Sequence, residues 1–142
     1  MQPLYDECAE CSFVVAYINW DWNGTEIADW ARSFADGLAS MGFDAVLGVK
    51  GSSLMEMEYI GSVPVFYSLG NFCYGGNSNP DDKDSVIVQL HLNLADDGSL
   101  ELSVQVLPCA ISTRTERNDF CPVLYEEGSA GYQRVLDKLN ME

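Results

Sequence analysis

Two short loops carry the side chains best placed for chemistry, because each follows a stretch that reads as a buried strand. The first loop reads Asn19-Trp20-Asp21 and the second reads Gly48-Val49-Lys50-Gly51-Ser52. Asn19 and Asp21 could offer oxygen ligands to a hard cation such as calcium, but calcium takes about six to eight ligands. The ammonium of Lys50 would repel a metal ion, although it could bind an anion instead. The two loops therefore predict no catalytic metal in this chain by itself.

Serine hydroxyls lie near these loops, but the base that would activate a serine nucleophile is missing. Ser52 and Ser68 are the candidates, whereas the only histidine of the chain is His91. In the run 86–94 apolar residues alternate with polar ones, and His91 falls among the polar ones. This period of two places His91 on the solvated face of a strand. Serine hydrolysis is therefore not supported.

The five cysteines favour no particular site. Cys8 and Cys11 form one close pair, which is half of a zinc or redox motif, but Cys73, Cys109 and Cys121 form no second close pair. A structural zinc site usually needs four such ligands. We expect free thiols, most of them buried, in a reducing compartment.

The charge of the chain excludes several classes of partner. Seven Lys and Arg residues stand against 22 Asp and Glu residues, which gives a net charge of -15. No basic stripe is present to displace phosphate counterions, so binding to nucleic acid or to anionic lipid is not expected. No apolar run approaches the roughly 20 residues that span a bilayer, and the first residues lack the pattern of a signal peptide. This sequence alone predicts a cytoplasmic chain without membrane insertion.

The first half of the chain predicts a βαβ unit. Residues 13–18 form a near-continuous apolar run, which is typical of a parallel strand covered on both faces. Apolar residues spaced by three or four between Ile27 and Met41 predict an amphipathic crossover helix. Residues 44–49 then predict a second strand, parallel to the first. The end signals of the helix are Asn23 or Thr25 as N-cap and Gly42 at the C-terminus.

The second half of the chain predicts antiparallel hairpins and a terminal helix. Residues 56–59 and 63–67 read as short strands joined by a tight turn. Residues 85–94 and 100–107 read as longer strands, because the Asp-Gly pair between them is a strong turn signal. Residues 131–139 predict a helix with an apolar stripe.

One segment resembles a family signature. The run Val63-Pro64-Val65-Phe66-Tyr67-Ser68-Leu69-Gly70-Asn71-Phe72 is similar to a motif of the CapA-type poly-γ-glutamate capsule synthesis family. That family typically reads His-Trp-Gly after one strand and Gly-His-His-Pro-His after the next, where this chain has the two loops described above. Three further stretches resemble the family in order and spacing, namely residues 108–112, 117–122 and 134–139.

The resemblance implies a fold similar to the calcineurin-like metallophosphatases, of which this chain would supply the C-terminal half. We expect one domain over residues 1–142, with an α/β fold of α+β character. It would be a partial αββα sandwich, made of one βαβ unit, antiparallel hairpins and a C-terminal helix. In the family the loops supply histidines to a divalent metal centre, so we expect a degenerate site without catalytic or metal-binding residues. Its positions are Asn19, Trp20, Asp21, Gly48, Val49, Lys50, Ser52, Ser68 and Asn71.

Two classes of function follow from the resemblance. The first is an inactive structural or interaction element of capsule or poly-γ-glutamate synthesis, and the missing histidines favour it. The second is a metal-dependent hydrolase of poly-γ-glutamate or a phosphoester, active only when an N-terminal half completes it with a divalent metal. Within the signature, Asn71 is open to two interpretations, as a residue that holds the two loops together or as a ligand.

The partners expected from the resemblance are an N-terminal half or further copies of the chain. Half of a two-sheet sandwich would leave apolar sheet surface uncovered, and such surface promotes association. A polyanionic envelope polymer is a further candidate by family. Members of the family are usually at the cell surface, which differs from the cytoplasmic location that this sequence alone predicts.

Overall fold

The computed structural model describes residues 11–20, 26–49 and 51–141. Within these residues it contains seven strands and two helices. The first βαβ unit and hairpin comprise β1 (Val15–Asn19), α1 (Asp29–Ser40), β2 (Ala45–Val49), β3 (Met57–Ile60) and β4 (Val63–Phe66). The rest comprises β5 (Asp84–Leu94), β6 (Leu100–Ala110), β7 (Val123–Leu124) and α2 (Ala130–Leu139). The expected mixture of α/β and α+β character is confirmed.

The first sheet has the strand order β1-β2-β4-β3. Strands β1 and β2 are parallel, with Val15 opposite Ala45 and Asn19 opposite Val49, so the predicted βαβ unit is confirmed. The β3–β4 hairpin is also confirmed, and its turn passes through Gly61 at a φ of 63°. The sequence did not predict that β4 would add to β2 in parallel, which joins the hairpin to the βαβ unit in one sheet.

Helix α1 covers one face of this sheet. Its Ala31, Ala35 and Leu38 are buried in a cluster with residues of β1, β2 and β4, including Val46 and Val65. This side of the sheet forms the first apolar core.

The predicted N-cap of α1 at Asn23 or Thr25 is wrong. The helix begins after Ala28, which has an extended backbone (φ -68°, ψ 142°). The carbonyl of Ala28 accepts the N–H groups of Ala31 and Arg32, and no side chain caps the helix. Positions 23 and 25 lie outside the described residues. The predicted C-terminal signal is confirmed, since Gly42 has a φ of 93°.

The second sheet has the order β5-β6-β7. Strands β5 and β6 pair along their whole length, from Asp84 opposite Ala110 to Leu94 opposite Leu100, and Gly98 turns the chain with a φ of 86°. The predicted long hairpin is therefore confirmed, whereas the two-residue strand β7 was not predicted. His91 is exposed and its Nε2 lies 3.3 Å from Oε1 of Gln105, as expected for a solvated strand residue.

A second core lies between the two sheets. It joins Phe66 and Met57 of the first sheet to Val86 of the second, and α2 adds Val135 and Leu139. Helix α2 begins at Ser129, whose hydroxyl accepts a hydrogen bond from the backbone N–H of Tyr132 at 3.2 Å. Because α2 contributes to this core, the C-terminal segment fixes how the sheets meet.

The expectation that both faces of the first strand are covered is wrong. Ala16 of β1 is buried under α1, but Tyr17 on the other face is 71% exposed. The physical reason is topological, because β1 is the edge strand of its sheet and the inter-sheet core is centred on β4. One face of β1 therefore remains open among the described residues.

The expectation that the thiols are mostly buried is also wrong. Cys109 is buried, whereas Cys11, Cys73 and Cys121 are exposed and free. These three residues lie before β1 or in loops, where no sheet or helix covers them. Cys8 lies outside the described residues. Neither helix in the described part of the chain is long and apolar enough to cross a membrane.

A buried carboxylate joins α2 to the second sheet. Asp84, the first residue of β5, has a side chain that is only 3% exposed. Arg134 donates to both of its oxygens at 2.7 Å, and Lys138 donates to Oδ2 at 2.8 Å. The hydroxyl of Tyr125 donates to Oδ1 at 2.8 Å. A carboxylate with these partners is stable in its charged form.

The pKa of Asp84 reflects this balance. Burial by itself would raise that pKa, but hydrogen bonds from Arg134, Lys138 and Tyr125 outweigh burial and lower it to about 2. Because the folded-state pKa lies below the ordinary value of 3.8, Asp84 stabilises the fold above about pH 4. That contribution is lost as the pH falls from about 4 towards 2.

The substitution Asp84→Asn should therefore lower the free energy of unfolding near neutral pH by about 2 to 3 kcal/mol, a loss moderated by the partial exposure of Arg134. Urea unfolding at a series of pH values measures it, and the curves of wild type and variant should converge at low pH. Asp81→Asn, in the exposed loop nearby, is the matched control and should change little. A difference that stays constant across this pH range would contradict the role assigned to the charge.

Candidate functional site

The candidate site lies where the parallel strands β1 and β2 end, the edge of an open α/β sheet at which ligands usually gather. Asn19 is the exposed last residue of β1, and Val49 is the half-buried last residue of β2 directly opposite it. Asp21 and Lys50 lie outside the described residues. The structure thus brings Asn19 and Val49 together, as the sequence predicts for two such loops.

Trp20 closes the base of the site by packing. Its side chain is only 3% exposed, and its ring stacks at 6.1 Å on Tyr67 and meets Phe34 edge-on at 5.8 Å. Gly48 allows this approach, because a Cβ at that position would lie 2.0 Å from Trp20 Nε1 and 2.2 Å from the Tyr67 carbonyl oxygen. Trp20 and Gly48 therefore serve the packing of the site.

The remaining site residues hold two loops against each other. The hydroxyl of Ser68 donates to the carbonyl of Ser53 at 2.8 Å and accepts the N–H of Gly70 at 3.2 Å. The amide of Asn71 donates to the carbonyl of Ser52 at 3.0 Å. A bridge between Leu54 and Leu69 adds a backbone link between the same loops. Of the two interpretations of Asn71, this contact supports the one that holds the loops together.

A groove opens beside these loops. Its wider part has a volume of about 660 Å³ and is lined by residues that include Tyr17, Val49, Asn71 and Tyr74. A second part, of about 420 Å³, continues past Val86 along β5. The open face of β1 forms one wall of the groove, so apolar and aromatic surface is accessible there.

The sequence did not predict a polar network on the other side of Tyr67. Its phenol donates to Glu58 Oε1 at 2.5 Å, and Nη1 of Arg32 lies 2.9 Å from the same oxygen. The guanidinium of Arg32 also lies over the Tyr67 ring, 5.4 Å from its centroid. Burial, followed by the bond to Glu58, raises the pKa of Tyr67 well above its usual range. Tyr67 therefore stays protonated and cannot act as a base at neutral pH.

The described residues do not fit a divalent metal at this site. Residues 11–20, 26–49 and 51–141 contain no group of three or more His, Cys, Asp or Glu side chains that could hold one. At the strand ends themselves stand the amide of Asn19, the apolar side chain of Val49 and the hydroxyl of Ser52. These neutral groups can bind through hydrogen bonds and apolar contact, but none provides an activated nucleophile.

A comparison with models of known protein families finds a match that includes the site. Residues 6–75 match the family model described as the bacterial capsule synthesis protein PGA_cap. The matched stretch is 70 of the 142 residues, and over it the chain is similar to the bacterial capsule synthesis family. The match covers β1 to β4, both loops and the Tyr-Ser-Leu-Gly-Asn-Phe run, so the suspected CapA-type resemblance is confirmed. No curated protein matches the chain.

The sequence predicted that the ends of β1 and β2 lie side by side, but it did not predict the contacts that each side chain makes. Pairs that lie apart in sequence, such as Trp20 with Gly48 and Ser52 with Asn71, are in contact. The network around Tyr67 was missed because its partner Arg32 lies on α1, where a charged residue reads as solvated surface. Glu56, just before β3, and Glu58, within it, both form ion pairs with Arg32, and their spacing of two residues was the available signal.

The contact between Trp20 and Gly48 yields a stability prediction. The substitution Gly48→Ala should lower the free energy of unfolding by about 3 kcal/mol, because the added methyl group meets both a buried indole and backbone. Gly37→Ala is the matched control, since a Cβ at that position in α1 meets nothing within 4 Å. It should raise stability by about 0.5 to 1 kcal/mol through helix propensity. Urea unfolding measures both, and equal stability of Gly48→Ala and wild type would contradict the contact.

Proposed function

We propose that this chain acts in bacterial capsule synthesis as a non-catalytic structural or interaction element. One observation carries the proposal. Where the family has histidines, the strand ends present Asn19, Val49 and Ser52, and the loop around Ser52 is held by Asn71. The two loops are thus held together by packing and hydrogen bonds, and histidines are absent from these three positions.

The polar groups at the base of the site support the same reading. The Ser68 hydroxyl is committed to Ser53 and Gly70, and the Tyr67 phenol is committed to Glu58. A nucleophile needs a base within hydrogen-bond reach, and the one histidine of the chain, His91, contacts Gln105 on the exposed face of the second sheet. Hydrolytic chemistry therefore has no activated group among the described residues.

The charge of the chain bears on what the element would contact. Poly-γ-glutamate is a polyanion, and the net charge of -15 opposes its direct binding. The groove beside β1 is lined by aromatic and apolar residues such as Tyr17 and Val49. An apolar protein surface of the capsule machinery fits this groove better than the polymer does.

The proposal predicts that the site side chains are dispensable for chemistry. In the cell that encodes the chain, loss of the gene should lower the amount of capsule polymer. Asn19→Ala and Ser52→Ala should restore it as fully as wild type, because neither side chain takes part in a reaction. Polymer is measured by immunoassay and the amount of each variant by blotting. Loss of polymer with a folded variant at normal abundance would overturn the non-catalytic role.

A second candidate function is a metal-dependent hydrolase that a separate N-terminal half completes. The observation that favours it is the groove of about 660 Å³ at the carboxyl ends of β1 and β2, where family members carry their site. The residues that the structure describes do not fit a metal by themselves, so in this alternative further ligands would come from the second half.

Mixing experiments separate the two functions. We expect the purified chain, alone or with the N-terminal half of a CapA-type protein and Mn²⁺ or Zn²⁺, to show no hydrolysis of poly-γ-glutamate or phosphoesters above background. Elemental analysis of the chain alone should find no stoichiometric metal. Asn71→Ala serves as the site variant and Gln105→Ala, on the exposed sheet face, as its control. Saturable turnover by the mixture, abolished by Asn71→Ala alone with binding retained, would favour the hydrolase.

A further inference from the structure

The outer edge of β5 has no strand partner among the described residues. The second sheet has the order β5-β6-β7, so β5 is an edge strand of 11 residues. Residues 85–94 contain no Asp, Glu, Lys or Arg in a chain whose net charge is -15. The other edges in the described part are shorter or charged, since β1 has five residues, β3 contains Glu58 and β7 has two. Natural edge strands usually carry charges, proline or bulges that prevent pairing, and residues 85–94 contain neither a Lys, Arg, Asp or Glu nor a proline.

The direction of the backbone groups on β5 follows from one hydrogen bond. Tyr125 donates its N–H to the carbonyl of Pro108 at 2.9 Å, so the carbonyl of Pro108 points towards β7. Pro108 stands opposite Val86, which makes this a non-hydrogen-bonded pair between β5 and β6. By alternation, the N–H and C=O groups that point outwards belong to Val86, Val88, Leu90, Leu92 and Leu94.

The outer edge of β5 is covered at its first residue and accessible along the rest of the strand. The carbonyl of Asp84 lies against Gly70, since a Cβ on that glycine would be 3.0 Å from the carbonyl oxygen. Beyond this point the groove of about 420 Å³ runs beside Val86 and Val88. The far end of β5 presents Leu92 and Leu94, which are 45% and 72% exposed. One end of the edge is thus an apolar groove, and the other end carries exposed leucines.

We propose that two copies of this chain pair antiparallel through their β5 edges, about a twofold axis at Leu90. This register places Leu90 opposite Leu90, Val88 opposite Leu92 and Val86 opposite Leu94. All five outward-pointing residues then form hydrogen-bonded pairs, which corresponds to about ten inter-chain hydrogen bonds. The exposed leucines of each copy lie against the groove of the other.

A second copy fits this edge better than an unrelated partner for two reasons. Each copy has a net charge of -15, so two copies repel each other. This repulsion is weakest where the uncharged residues 85–94 of the two copies meet. The twofold axis also matches the groove at one end to the leucines at the other, so the surface is complementary to itself. Pairing closes both β5 edges, and the product is a dimer rather than a fibre.

The test is the mass of the purified full chain by sedimentation velocity over a wide range of concentrations. Wild type should sediment with twice the mass of one chain. Leu92→Pro removes an outward N–H without touching the β5–β6 ladder, and it should yield the monomer. Leu102→Pro is the matched control, because Leu102 stands opposite Leu92 and its N–H points to the other side of the hairpin. It should remain a dimer.

A second pair of variants leaves the backbone intact. Gln89→Glu with His91→Glu places acidic side chains opposite each other across the twofold axis, and it should abolish the dimer. Gln105→Glu with Ser103→Glu introduces the same charge at the cross-strand positions on β6 and should not. A monomeric wild type, or association that the β5 and β6 variants weaken equally, would overturn the proposal.

Discussion

The charged contact between Asp84 and α2 determines how the two halves of the described structure meet. The carboxylate lies at the first residue of β5, almost fully buried, and Arg134 and Lys138 reach it from one helix face. Lys138 also contacts Asp82 at 2.7 Å, and Asp82 accepts the N–H of Leu54 at 3.2 Å. The C-terminal helix, the second sheet and the loop after β2 are therefore joined by one set of hydrogen bonds. Removal of the central carboxylate would leave two partly exposed cations, Arg134 and Lys138, without their shared partner.

The shape of the candidate site depends on the hydrogen bonds around Asp82 and Asp84. Leu54, which the network holds, forms the bridge to Leu69, and the same loop contains the carbonyl groups that bind Ser68 and Asn71. The geometry of the strand ends thus depends on contacts made far away in sequence. A site of this kind can keep its shape when its reactive side chains are replaced, because those side chains do not support it. The shape of the strand ends is therefore not evidence for a particular chemistry.

The sequence predicted those features that depend on local pattern. The periodicity of the βαβ unit and the Asp-Gly turn between β5 and β6 each act within a few residues, and both predictions are confirmed. The N-cap of α1 was wrong because a polar residue is only one of several ways to begin a helix, and here the backbone of Ala28 suffices. The exposure of Tyr17 was missed because an apolar run does not reveal which strand lies at the edge of its sheet.

The site was predictable to a similar degree. The two loops were recognised from motif spacing, whereas the buried ion pairs of Asp84 were not, since their partners lie 50 and 54 residues away. Neither Arg134 nor Lys138 stands out in sequence from other exposed helix residues. Contacts at such separations depend on how the sheets pack, and no local pattern encodes that packing.

The fit of Trp20 against Gly48 has a consequence for how such proteins are recognised. No side chain can occupy position 48 while the indole and the Tyr67 carbonyl keep their places, whereas Asn19 at the end of the neighbouring strand is exposed. A substitution at the exposed Asn19 is therefore tolerated more readily than any substitution at Gly48. Sequence similarity in this segment therefore reflects constraints of packing as well as of chemistry.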